Sequence, residues 1–292
     1  MTAQFLDGDA FLEKVKRDLA IRAEALRPQG VVPGLGTILV GSDPNSVSYV
    51  RRKHANCADI GFASFNQELP EDATQDDVYA AIGKFNHDPL VDAFLVQLPL
   101  PRHLSEEKTL LAIDPDKDVD GLHPVNLGRL VMGVDAPRAC TPAGIQALLA
   151  HYGVPIEGRH VVIVGRGLTI GRPLANLLTL KQPNANAAVT VIHTGVPDLA
   201  AYTRQADILI VAAGKARFIT KDFVKPGAVV VSAGITWEGR KLIPDVDEAV
   251  GEVASWITPR LGGVGPTTVA MLLTNTLRAA ERRVRTGARN SG

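Results

Sequence analysis

Two residue patterns in this chain are suited to chemistry. The first is Gly165-Arg166-Gly167-Leu168-Thr169-Ile170-Gly171. Glycines leave backbone N–H groups open, and at a helix N-terminus those groups carry partial positive charge, so a pyrophosphate can rest against them. The spacing Gly165-x-Gly167-x-x-x-Gly171 is one residue longer than the common dinucleotide fingerprint. The second pattern is Tyr49-x-x-x-Lys53, which puts a ring and an amine on one helical face. Alone, that pair better suits a half-buried tyrosine beside a solvated lysine. Gln97, in Gln97-Leu98-Pro99-Leu100-Pro101, adds an amide, and Asp120, in Asp118-Val119-Asp120-Gly121-Leu122-His123, adds a carboxylate. Asp120 is either a site group or one more loop acid.

These residues need elements to hold them. Val161-Val162-Ile163-Val164 reads as a buried parallel strand before the glycines, and Pro173-Leu174-Ala175-Asn176 opens a helix after them. Strand, glycine turn and helix together supply the context that a lone glycine pattern lacks. The next strand, 188–192, ends in His193-Thr194-Gly195, without the acid that would hold a ribose 2′-OH and repel a 2′-phosphate. Arg166, Arg172 and Thr194 could serve that phosphate, although Arg172 also suits a solvated helix face. NADP is therefore expected ahead of NAD. Further buried strands are read at 207–214, 228–235 and 254–258.

Upstream, helical periodicity over 9–26 gives way to a strand at 36–41, and Asp43-Pro44-Asn45-Ser46 starts the helix carrying Tyr49 and Lys53. A strand at 62–65, a helix at 75–85 and a strand at 93–97 follow. Strands alternating with helices imply a parallel sheet, whose ligands sit beyond the carboxyl ends of the strands. Gln97 and the start of the Tyr49 helix both lie at such ends. Thr141 is expected to cap a helix running through Tyr152. Leu261-Gly262-Gly263-Val264-Gly265-Pro266 reads as a loop whose proline starts a last helix to about Arg283, and 285–292 reads as a frayed tail.

Composition excludes several classes. At 292 residues and 46% apolar content the chain can bury the cores of two modest domains. With 31 basic and 31 acidic residues, no net field draws it to nucleic acid or an anionic membrane. Cys57 and Cys140 form no disulfide framework or metal cluster, and they suit packing in a reducing compartment. Asp116-x-Asp118-x-Asp120-Gly121 mimics a calcium loop, but Leu127 occupies the twelfth position, where a bidentate Glu would be needed. No secretory leader or membrane-length apolar run is read, so a cytoplasmic protein is expected.

Jointly, Tyr49-x-x-x-Lys53, Gln97-Leu-Pro-Leu-Pro101, Lys117-Asp-Val-Asp-Gly-Leu-His123, the Gly165-Arg166-Gly167 turn and Gly262-Gly-Val-Gly-Pro266 resemble the bifunctional methylenetetrahydrofolate dehydrogenase/methenyltetrahydrofolate cyclohydrolase family. The motifs keep the family's order and span nearly the whole chain. The resemblance implies a two-domain α/β subunit. One domain, 1–140, binds folate and takes back the C-terminal helix 268–284; a Rossmann-type NADP-binding domain covers 141–267; a folate cleft lies between them. It also implies a homodimer.

The resemblance implies residue roles too. Tyr49 stacks on the folate's aminobenzoyl ring, Lys53 is the acid/base, Gln97 assists it and Asp120 holds the pterin. Gly165, Arg166, Gly167, Gly171, Thr194 and Ile235 bind the cofactor, and Leu98, Pro99, Gly262, Gly263, Val264, Gly265 and Pro266 border the substrate. The activity implied is oxidation of 5,10-methylenetetrahydrofolate with NADP, followed by hydrolysis to 10-formyltetrahydrofolate. A lysine near its reference pKa of about 10.4 is too protonated to act as a base, so Lys53 would need a setting that favours its neutral form.

Several positions depart from the family pattern. Gly167 and Thr194 stand where Ser is common, Ser232-Ala233 stands for Asp-Val, and Thr267 for Met. Arg260-Leu261 replaces Val-Pro, which should free the loop's backbone. Three rivals compete with this reading: a short-chain dehydrogenase, whose Tyr-x-x-x-Lys follows its glycine turn rather than preceding it; a two-domain dehydrogenase of another small substrate; and a module that senses NADPH without turnover.

Overall fold

The computed structural model describes residues 2–239 and 241–287. Its elements in chain order are β1 (Gln4–Phe5), α1 (Gly8–Glu24), β2 (Gly34–Val40), α2 (Pro44–Asp59), β3 (Ala63–Leu69), α3 (Gln75–His87), β4 (Ala93–Val96), α4 (Glu106–Ala112), α5 (Pro124–Met132) and α6 (Cys140–His151). There follow β5 (His160–Val164), α7 (Gly171–Leu178), β6 (Ala188–Ile192), α8 (Ala200–Thr203), β7 (Ile208–Val211), β8 (Val229–Ser232), β9 (Ile235–Glu238), β10 (Lys241–Pro244), β11 (Trp256–Ile257) and α9 (Val264–Arg285).

Contacts divide the chain into two units. One holds the residues up to Glu13, Leu130–Val134 and Ala139–Thr268; the other holds Lys14–Arg129, Asp135–Arg138 and the residues from Val269. In the second unit, β2 lies between β3 and β4 in a parallel sheet. β2 is buried along its whole length, and Gly36 is one reason: a Cβ there would press on Phe94 and Phe85 at 2.8–2.9 Å. Phe85 and Phe94 meet edge-to-face in a core with Ile38, Val78 and Ile82. A parallel bridge from Phe94 to Asp118 lays residues 117–119 beside β4.

In the first unit the sheet order is β1-β11-β8-β7-β5-β6, every pairing parallel. β5 and β7 are almost wholly apolar, as both faces of a parallel sheet are covered. β5 has β6 on one side and β7 on the other, so the chain reverses direction across the sheet at β5.

Several expectations need correction. Residues 4–5 pair with β11 in the first unit's sheet rather than joining the unit that carries Lys53. Two residues are too few to show a period, so this strand left no sequence signal. Thr141 does not cap α6: Ala139 holds that position without a side-chain bond, and the Thr141 hydroxyl meets Thr268 Oγ1 at 3.0 Å. The run 228–235 is two strands, because β8 ends at Ser232 and Ile235 begins an antiparallel hairpin with β10. α9 starts at Val264, so Gly265 and Pro266 lie in its first turn, where proline's missing N–H costs nothing. α7 likewise begins at Gly171, before Pro173. Arg285 is still helical, and residues 288–292 of the expected tail lie outside the described residues.

Candidate active site

In the second unit, α2 begins where β2 ends. Asp43 caps it by accepting the Ser46 N–H at 2.8 Å, and Pro44 supplies a preset first turn. Three turns on, Lys53 Nζ donates to Gln97 Oε1 at 3.0 Å. Gln97 follows β4 and still pairs with β2 through its N–H to the Ile38 carbonyl at 2.8 Å. Its amide is oriented because Nε2 donates to the Leu98 carbonyl at 2.7 Å, leaving Oε1 toward the lysine. Leu98 and Pro99 are exposed and joined by a cis peptide. Tyr49, 46% exposed, has the Arg52 guanidinium 5.3 Å from its ring centre.

Asp118, outside the expected site residues, is the anchor of the acidic loop. It is 2% exposed, and its carboxylate accepts from Gly121 N–H at 3.0 Å, His123 N–H at 2.8 Å and Asn126 Nδ2 at 3.0 Å. Its signal was the Asp-x-x-Gly spacing, in which a short side chain captures its own loop's amides. Asp120 follows this anchor. The residue is partly exposed, but its carboxyl is desolvated. Burial pushes its pKa up, Lys53 draws it back down, and Asp118 adds to the rise. His54 turns instead to Thr37 Oγ1 at 2.9 Å; burial, then the neighbouring Lys53 charge, lower its pKa. Cys57 is buried in apolar surroundings that push its thiol up to about 12, so it packs and does not react.

The first unit holds the other set. Gly165 has φ +130°, and a Cβ there would overlap the carbonyl of Ala212, the residue after β7. A Cβ on Gly171 would overlap the Gly165 carbonyl, so these two glycines let three backbone segments meet. Gly167 is different: a Cβ there would meet nothing within 4 Å. The Gly165 N–H donates to the Ile192 carbonyl at 2.8 Å, which brings Arg166 level with His193 and Thr194. Arg166 and Thr194 are exposed there, with no carboxylate at the end of β6. Ile235, at the start of β9, is 50% exposed. The glycine cradle, the N-terminus of α7 and an acid-free strand end fit a dinucleotide carrying a 2′-phosphate.

The loop before α9 is tied down despite its missing proline. The Gly8 N–H donates to the Gly262 carbonyl at 2.7 Å, and Gly262 adopts φ +73°. Gly263 lies close to the Pro259 carbonyl, which a Cβ would meet at 2.9 Å. Thr267 is fully buried and bonds the Val264 carbonyl at 2.8 Å, against Gly144 of α6. Leu261 itself is 62% exposed. A cavity of about 580 Å³ lined by Phe5, Ile257, Pro259 and Arg260 contains none of the candidate residues. Among the described residues no helix is long and apolar enough to cross a membrane, and no cluster of metal-ligating side chains occurs.

Comparison with known proteins bears on both sets. Residues 6–120 match the family described as tetrahydrofolate dehydrogenase/cyclohydrolase, catalytic domain, and residues 139–284 match its NAD(P)-binding domain. The chain is 60% identical over 285 residues to the bifunctional protein FolD of Syntrophotalea carbinolica, covering 98% of each. The FolD dehydrogenase/cyclohydrolase of Campylobacter jejuni superposes with a TM-score of 0.92 at 43% identity, covering 96% of this chain and 99% of that one. A Trypanosoma brucei FolD, solved with NADP cofactor and an inhibitor, has a TM-score of 0.90 at 38% identity, covering 98% and 99%.

Proposed function

Since the chain belongs to the tetrahydrofolate dehydrogenase/cyclohydrolase family, we propose that Lys53, held by Gln97, is the acid/base group of its two reactions. The protein is a bifunctional enzyme: it oxidises 5,10-methylenetetrahydrofolate to the 5,10-methenyl form with NADP, then hydrolyses that cation to 10-formyltetrahydrofolate. The unit carrying Lys53 takes the folate, and the unit carrying the glycine turn takes the dinucleotide. The turn that Gly165 and Gly171 shape, with the N-terminus of α7, would hold the pyrophosphate, and Arg166 and Thr194 the 2′-phosphate. The chemistry NADP supplies when bound is hydride acceptance at its nicotinamide ring.

The observation that carries the proposal is the 3.0 Å bond from Lys53 Nζ to Gln97 Oε1, made at the carboxyl ends of β2 and β4. Hydrolysis adds water to the methenyl carbon; that water gives up both its protons, one reaching N5 as the C–N5 bond breaks and the other leaving to solvent as the formyl carbonyl forms. Lys53 Nζ is suited to move those protons because Gln97 fixes its direction. Asp120, desolvated beside Lys53, accepts hydrogen bonds from the pterin's N–H groups. Tyr49 offers its face to the aminobenzoyl ring.

Mixing the enzyme with methylenetetrahydrofolate and NADP, while following reduced nicotinamide and methenyl absorbance together, tests the reading. NAD should support a slower reaction. Lys53→Met should lose hydrolysis of added methenyltetrahydrofolate yet still bind NADPH; full hydrolysis by that variant rejects the role. A homodimer working in the cytoplasm is the further expectation, and sedimentation at twice 31.1 kDa tests the first part.

A further inference from the structure

Asp245 is fully buried, yet it belongs to neither set of residues assigned above. It follows β10, and its carboxylate collects three successive backbone amides. Oδ2 accepts from Ala213 N–H at 2.6 Å and Gly214 N–H at 2.8 Å, and Oδ1 accepts from Lys215 N–H at 2.9 Å. These amides belong to the turn after β7, in which Gly214 adopts φ +64°. Three N–H groups pointing at one anion form a nest, here filled by the protein's own side chain. Burial pushes the Asp245 carboxyl up and the three amides pull it down, so the bonds offset part of the desolvation.

The same carboxylate braces a second strand end. A Cβ on Gly234 would overlap it, and the Asp245 N–H donates to the Gly234 carbonyl at 3.1 Å. Gly234 immediately precedes Ile235. On the other side, Ala212 immediately precedes the captured amides, and its carbonyl abuts Gly165. One buried side chain therefore sets the backbone on both sides of β7's carboxyl end, where the sheet reverses at β5 and a dinucleotide is expected.

We infer that Asp245 is a positioning residue for the dinucleotide, holding the 212–215 turn and the Gly234–Ile235 start of the hairpin in the shape that admits NADP. The inference rests on the dinucleotide reading of this unit. It separates the two activities, because hydrolysis of methenyltetrahydrofolate consumes no dinucleotide. A merely structural role would lower both.

The test is Asp245→Asn, which keeps the volume but sets an amide NH2 against a backbone N–H. NADPH binding followed by its fluorescence, and KM for NADP in the oxidation, should each weaken at least tenfold. Hydrolysis of added methenyltetrahydrofolate should stay within twofold of the parent enzyme. Binding changed less than fivefold in a folded variant, or a parallel fall in hydrolysis, overturns the inference. If Asp245→Asn does not fold, Gly234→Ala, which drives a methyl into the same carboxylate, should give the same split; its absence there also overturns it. A parent enzyme that fails to oxidise methylenetetrahydrofolate with NADP would instead sink the functional reading itself.

Discussion

Asp120 shows what burial does to a carboxylate. Its proton is held more tightly in the folded chain than at the ordinary value of 3.8, because burial outweighs the pull of Lys53. A carboxyl raised on folding adds stability below its unfolded value, and that stability is lost as pH rises through the folded value. At neutral pH the charge therefore costs stability, and Asp120→Asn should raise the thermal midpoint by roughly 2–4 °C, about 1 kcal/mol for a chain of this size. The gain should shrink as pH falls toward the ordinary carboxylate range, and turnover should drop. A lower midpoint at pH 7 would contradict the desolvated carboxylate. Lys53→Met should cut hydrolysis by about 10²- to 10⁴-fold, the usual worth of a positioned acid/base, with NADPH fluorescence titration unchanged. Lys53, Gln97 and Asp120 were candidates from the sequence alone, and the roles proposed for them rest on the geometry around Lys53. Sequence alone passed over Asp118, although the Asp-x-x-Gly spacing carried its signal, and it missed Asp245 because its three partners are backbone amides of a distant turn, which no residue pattern names.

Among the elements, the turn from β5 to α7 is where sequence and steric demand agree best. Gly165→Ala should lower the unfolding free energy by at least about 2 kcal/mol and abolish NADPH binding, since its Cβ would strike the Ala212 carbonyl at a φ alanine avoids. Gly167→Ser should leave the unfolding free energy within about 0.5 kcal/mol of the parent, because nothing lies near its Cβ. Equal damage from both would show that the loop is held differently. β5 was legible because a short run of branched apolar residues closed by a turn suits a buried strand, and β6, mostly outside the core, was legible from its place after the glycine turn and helix. The β9–β10 hairpin was not, since Ile235 follows the apolar run of β8 after only Ala233 and Gly234, and no residue pattern marks where the chain leaves the parallel sheet. β1 and β11 pair residues about 250 positions apart over two rungs, a contact no local period encodes.

At the scale of the whole molecule, neither unit is one continuous stretch of chain. The unit carrying Lys53 depends on α9: Arg283 binds Asp92 at 2.8 Å, Arg22 binds Glu281 at 2.8 Å, and Asn275 Nδ2 donates to the Val119 carbonyl at 2.9 Å and the Arg138 carbonyl at 3.0 Å. Asp92 is almost fully buried, and its other carboxylate oxygen accepts the Gly34 N–H at 2.9 Å. Arg283→Met should therefore cost roughly 3 kcal/mol in urea denaturation, the low end for breaking a buried pair because the arginine is partly exposed. A loss under about 1 kcal/mol would show that Asp92 is satisfied without it.

The bond from Asn275 to Val119, one residue before Asp120, spans 156 positions. A ribosome adding about 5–20 residues per second therefore releases the acidic loop roughly 8–30 s before the helix that secures it. Through that interval the nascent chain carries an unfinished Lys53 unit with apolar surface uncovered. Chaperones meeting it during translation would find this unit, although made first, completed last.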